Sequence, residues 1–199
     1  MEAKGFTSEE DDEDEEKKPI KDRKASEDMN KNFDDATLSV WENFKINWQC
    51  YLGIFTAFAS TLLTFPVLMF KLDFHLPAYI QFAYITFIFN LGDTVSRYVY
   101  SSFKMLHLPS LHLLNIIKLA LVYVNYISIG SQSVWLNSHL SRFLIVFVQA
   151  FLGGYILMAH LDISVNNFKS IFDRNRTGLL NSFSVQIGLT AGAVLSLLW

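Results

Sequence analysis

The sequence predicts an all-α, polytopic membrane protein with five transmembrane helices behind a charged N-terminal tail. Three observations predict it. First, the chain has 199 residues, 51% of them hydrophobic and 15% aromatic, and charge is distributed very unevenly along it. Residues 1–48 carry 15 acidic and 8 basic residues, a balance of −7, whereas residues 49–199 carry 4 and 8, a balance of +4. Second, the sparsely charged part divides into five apolar runs, each near the roughly 20 residues that a helix needs to cross a bilayer. Third, one of those runs carries an acid and a base in its middle to late part, which at membrane depth costs at least about 2–3 kcal/mol per charge.

The tail, residues 1–48, contains EEDDEDEE at 9–16 followed by KKPIKDRK. It has few apolar residues and no helical or strand period, so it cannot offset its chain entropy and is expected to be a disordered, solvated, cytoplasmic segment. The first residues are acidic and lack an apolar h-region, so the first apolar helix is expected to act as the insertion signal. The single cysteine, Cys50, excludes an internal disulfide and carries no metal-ligand spacing.

The domain at 49–199 is expected to span at about 50–70, 77–99, 112–131, 140–160 and 179–199. The first run ends near Phe65-Pro66, where the missing proline N–H should kink it. The third begins with His112 and Lys118, and the lysine is expected to snorkel to the headgroups. The fourth contains Gln149 and the pair Gly153-Gly154. The fifth has small residues at every fourth place, Ser184, Gly188, Gly192 and Ser196, which favours close helix packing through that ridge. With the tail in the cytoplasm, Arg97, Lys104, Lys118, Lys169, Arg174 and Arg176 fall on the inner side and only Lys71 and Arg142 on the outer. That agrees with the positive-inside rule and places Trp199 outside and the sequon at Asn175 inside, unglycosylated.

The charged run is the second. At about 100° per residue, Thr86, Asn90, Asp93 and Arg97 form one narrow polar stripe on an otherwise apolar helix. Asp93 and Arg97 are four apart and can partly neutralise each other. Such a stripe should face a protein interior or a water-filled path and not lipid. Its two readings are a contact for a polar substrate and a salt bridge that locks the bundle, and the two are compatible.

The run Phe89-Asn90-x-x-Asp93-x-x-Ser96-Arg97 resembles the FNxxDxxGR signature of the equilibrative nucleoside transporters. Phe65-Pro66 is similar to a Phe-Pro in the family's seventh helix, Gly154-Tyr155 to a Gly-Tyr in its tenth, and Gly192-Ala193-Val194-x-Ser196 to its last. The resemblance covers residues 45–199, with Ser96 in place of the usual glycine. It implies the second half of a major-facilitator-like fold of eleven helices, six of which have no counterpart here. It also implies facilitative nucleoside transport by alternating access, with nucleobases as a further substrate class. Asp93 and Arg97 would then contact the sugar, whose hydroxyls a carboxylate and a guanidinium can satisfy. Asn90 would point into the cavity or bond an adjacent helix, and Gln149 would line the cavity from the fourth span.

Phe65, Phe82 and Phe89 would stack on a base or face lipid and core. The partners implied are a nucleoside, the lipid bilayer, and a complementary transporter half or a second copy of the chain. A different class stands beside this one, in which the chain is a non-transporting fragment that binds or inhibits a full-length transporter. No GxxxxGK[ST] loop, HExxH or placed carboxylate pair occurs, so no enzyme, cofactor, metal site or nucleic-acid partner is expected.

Overall fold

The computed structural model describes residues 38–104, 107–129, 133, 135 and 138–197. Most of the expected charged tail therefore lies outside the described residues. Among these residues the regular structure is wholly helical. The elements are α1 (Val40–Thr64), α2 (Val67–Phe70), α3 (Ala78–Ser102), α4 (Leu108–Ser128), α5 (His139–Asn166) and α6 (Ile171–Ser196).

The first helix starts at Val40, well before the apolar run. Its start is set by capping chemistry: the Ser39 hydroxyl accepts from the Glu42 N–H at 3.2 Å, and the Ser39 N–H donates to Glu42 Oε2 at 2.8 Å. Residues 40–48, expected in the tail, thus form the first turns of a helix. They are held by a buried polar network, because Asn43 Nδ2 donates to Asp173 O and Thr177 Oγ1 of α6, and Asn47 Nδ2 donates to Ser164 O of α5. Ser39→Ala should cost about 1 kcal/mol. A lower melting temperature in detergent, restored by Ser39→Thr, is the expected reading.

At Phe65-Pro66 the expected kink is a full break, after which the single turn α2 resumes the path. The following loop is clamped from α3, where Gln81 Nε2 donates to Phe70 O and Leu72 O while its Oε1 accepts from the Phe74 N–H. At its tip His75 has a φ of 53°, and its N–H donates to Asp73 Oδ1 at 2.7 Å. That bond holds the Asp73 carboxyl below the usual carboxylate range.

Helix α5 is the centre of the bundle. It packs along α3 and touches α1, α4 and α6, while α1 and α6 share the most extensive contact. The α1–α6 contact runs through the small-residue ridge: Gly188 and Gly192 are buried, and a Cβ on either would lie 2.7 Å from Phe55 O or 2.6 Å from Ala59 O. Gly192→Leu should overpack this seam by about 1–3 kcal/mol or more. The expected reading is a lower melting temperature together with loss of disulfide trapping between cysteines placed on α1 and α6.

Polar side chains are concentrated inside, beside an apolar core around Met69, Phe74, Ile85 and Ile88, while the outer faces are largely apolar. On α4 the buried face includes Asn115, Lys118, Asn125 and Ser128, whereas Leu113, Ile116, Leu119 and Tyr123 are exposed. This inversion suits a helix whose surroundings are hydrocarbon and whose polar groups must be satisfied within the bundle. Among the described residues, four helical stretches are long and apolar enough to cross a membrane: Val40–Phe70 (α1 continued by α2), Leu108–Ser128, His139–Asn166 and Ile171–Ser196. The fifth, α3, has 25 residues, which gives it the length, but its polar stripe keeps it out of that apolar set. The protein is thus an all-α chain with the helices of a multi-pass membrane protein.

Candidate functional site

A cavity of about 170 Å³ opens between α1, α3 and α5. Phe89, Asp93 and Arg97 line it from α3, Thr61 from α1, and Gly153 and Gly154 from α5. Asp93 Oδ2 and Arg97 Nε are 2.9 Å apart, with 30% and 51% of the respective side chains exposed. The pair is therefore formed but unfinished, with acceptor and donor capacity left facing the cavity.

Local packing explains why the pair sits there. The buried face of α3 is Ile85, Ile88, Gly92, Ser96 and Tyr100, and the polar stripe lies roughly 110° around the helix from it at 100° per residue. The stripe borders the α3–α5 contact and is not sealed within it. Asp93 is the stripe residue turned furthest toward that contact and is partly buried; Asn90 is turned furthest away and is exposed. Close approach of the two helices depends on small residues. A Cβ at Gly154 would overlap Ser96 Oγ and lie 2.5 Å from Asp93 Oδ1, and one at Gly92 would lie 2.6 Å from Phe147 O. Ser96 is fully buried and its hydroxyl donates to Asp93 O at 2.6 Å. At one end of the same seam, Tyr100 OH and Lys104 Nζ both bond Asp162 Oδ2, at 2.7 and 3.1 Å, and Tyr155 OH donates to Phe103 O.

Of the four expected site residues, the structure brings Asp93 and Arg97 to the cavity. Asn90 is exposed and neither lines it nor bonds a neighbouring helix among the described residues. Gln149 is 1% exposed and its Nε2 lies 3.4 Å from Thr64 Oγ1, so it sits between α5 and α1 and not on the cavity wall. Phe89 lines the cavity and stacks on Phe65 with ring centroids 4.5 Å apart. Phe82 lies elsewhere, stacked on Phe70.

Lys118 overturns its expectation. It does not snorkel: it is the eleventh of the 21 residues of α4, is fully buried, and donates to Ala57 O and Thr61 Oγ1, both at 2.6 Å. Both acceptors belong to residues that line the cavity. The sequence did carry a signal for this, since Leu111, Asn115, Lys118, Val122 and Asn125 follow the three–four spacing of one helix face. A second unforeseen residue, His160, is also fully buried; its ring occupies the space that glycine leaves at position 53, and its Nδ1 lies 2.8 Å from Ile156 O. Among the described residues no cluster of three or more histidine, cysteine or carboxylate side chains is placed to hold a metal.

No protein-family model, no curated protein and no solved structure matches the chain.

Proposed function

We propose that the chain takes part in facilitative transport of nucleosides, with nucleobases as a further class, by alternating access in the manner of an equilibrative nucleoside transporter. The observation that carries this reading is the Asp93–Arg97 pair, kept half-exposed on a cavity wall within a bundle otherwise apolar toward its surroundings. A charged pair at that depth is costly, and a polyhydroxylated ligand is the kind of molecule that recovers the cost by bonding both groups. Phe89, flat against Phe65 at the cavity edge, offers an aromatic face to a base.

The same exposure favours a second component. Arg97 is about half exposed in the chain by itself, and lipid is a poor cover for a guanidinium, so a complementary transporter half or a second copy of this chain would close the cavity and supply the opposing wall. In the competing reading the chain only occupies such a partner, and so inhibits it. We place the protein in the plasma membrane with its N-terminus cytoplasmic and its C-terminus outside. The orientation rests on fewer charges than the sequence count, because Lys118 and Arg142 are buried in the bundle and Arg97 lies within α3. Lys104, Lys169, Arg174 and Arg176 still oppose Lys71.

The test is equilibrium binding of tritiated uridine to the purified full chain in lipid nanodiscs. Saturable binding that Asp93→Ala removes supports the reading. An absence of saturable binding by any nucleoside, both for the chain alone and for the chain reconstituted with a complementary half, refutes it.

A further inference from the structure

The cavity has a cation behind its wall whose bonding is incomplete. Lys118 carries three N–H donors. Two are taken by Ala57 O and Thr61 Oγ1, and the third has no acceptor among the described residues. No carboxylate lies within ion-pair distance of Lys118 among those residues. A donor left without an acceptor in a dry interior is costly.

The buried ammonium lies directly against the cavity wall. A Cβ built on Gly153 would stand 3.0 Å from Lys118 Nζ, 3.5 Å from its Cε and 3.5 Å from Thr61 Oγ1. Gly153 itself lines the cavity. On the α5 side, the ammonium is therefore screened from the cavity by a residue with no side chain. Thr61 adds nothing that competes with it, because its hydroxyl donates to Ala57 O at 2.7 Å and accepts from Lys118, so it shows the cavity only a lone pair.

We propose that Lys118 is a ligand contact of this cavity, donating past Gly153 to an acceptor-rich part of the bound molecule. On the nucleoside reading, on which this inference rests, that part is a carbonyl oxygen or ring nitrogen of the base. The site is then divided by chemistry: Asp93 accepts from the sugar hydroxyls, Arg97 donates at the same end, and Lys118 donates to the base. With Arg97 and Lys118 donating and Asp93 alone accepting, the site favours ligands rich in acceptors.

The test compares tritiated uridine, which carries such acceptors, with D-ribose, which lacks a base, on the full chain in nanodiscs. Lys118→Met removes the ammonium and keeps most of the stem. Gly153→Ala keeps the ammonium and sets a methyl against it at the cavity wall, where the methyl meets mainly the flexible end of Lys118. Each should weaken uridine by about tenfold or more, the scale of one charge-assisted hydrogen bond, while D-ribose competes as it does against wild type. Asp93→Ala should weaken both ligands. If Lys118→Met does not fold, as judged by size-exclusion chromatography, Gly153→Ala carries the test. Unchanged uridine affinity in the folded variants, with Asp93→Ala still lowering it, overturns the role of Lys118 and leaves the nucleoside reading standing. If wild type shows no saturable binding either alone or with a complementary half, the reading and the inference fall together.

Discussion

Asp93→Ala is expected to lower nucleoside binding by about a hundredfold or more while the protein still inserts and purifies as a single species. Two effects add. The carboxylate is lost as an acceptor for ligand hydroxyls, and Arg97, bonded to it at 2.9 Å, is left as an uncompensated charge on the cavity wall. Asp93→Asn separates them, since it keeps an acceptor oxygen and removes the charge, and should fall between wild type and alanine. Exchanging the two residues, Asp93→Arg with Arg97→Asp, keeps the pair and moves each group by one helical turn. If the pair only locked the bundle, the exchange would restore function. As ligand contacts the two are not interchangeable, so the exchanged protein should regain melting temperature without regaining affinity.

Gly154→Val should have the second-largest effect, and by another route. Even a single methyl there overlaps Ser96 Oγ and crowds Asp93 Oδ1. Ser96 is fully buried with its hydroxyl bonded to the Asp93 carbonyl, and that carbonyl would itself stand 3.1 Å from the methyl, so relief requires the Ser96 and Asp93 side chains to leave their places. Overpacking of this kind costs about 1–3 kcal/mol or more, and here the strain falls on the seam that positions the ion pair. Stability and nucleoside affinity should fall together, with Gly154→Ala milder in both. Replacing Ser96 by glycine in the Gly154→Ala background should recover much of the loss, because it removes the nearest clashing atom. Melting temperature and uridine affinity measured over the four proteins of that cycle would show whether the two residues act as a unit.

The helices were largely legible from hydropathy, and their ends were not. Apolar runs located α1, α3, α4, α5 and α6, because membrane-scale stretches leave few alternatives. The start of α1 was missed because Asn43 and Asn47 read as tail polarity, while in the fold both are buried against α5 and α6. The capping box at Ser39 and Glu42 was the available local signal. The small-residue ridge of α6 and the polar stripe of α3 were both legible, since each is a helical periodicity.

What periodicity does not specify is the azimuth of a helix in the bundle. The stripe shared one face, yet the fold turned Asp93 and Arg97 into the cavity and Asn90 out of it. Gln149 is one turn from Gly153 on α5, but the packing of α1 buries it against Thr64. Counting the third span from residue 112 puts Lys118 near a helix end; the observed start at Leu108 puts it at mid-helix, on the buried face. The azimuths of Asn90 and Gln149 are tertiary facts that a single sequence does not contain in readable form, whereas the burial of Lys118 is written in the three–four spacing of its face.

The most direct test of the central claim is uptake of radiolabelled uridine by transport-deficient cells expressing this chain, normalised for surface protein, beside Asp93→Ala. The account predicts saturable, gradient-driven uptake that the substitution abolishes, either by the chain alone through self-association or when a complementary half is co-expressed. Correct membrane insertion without uptake under either condition would contradict it.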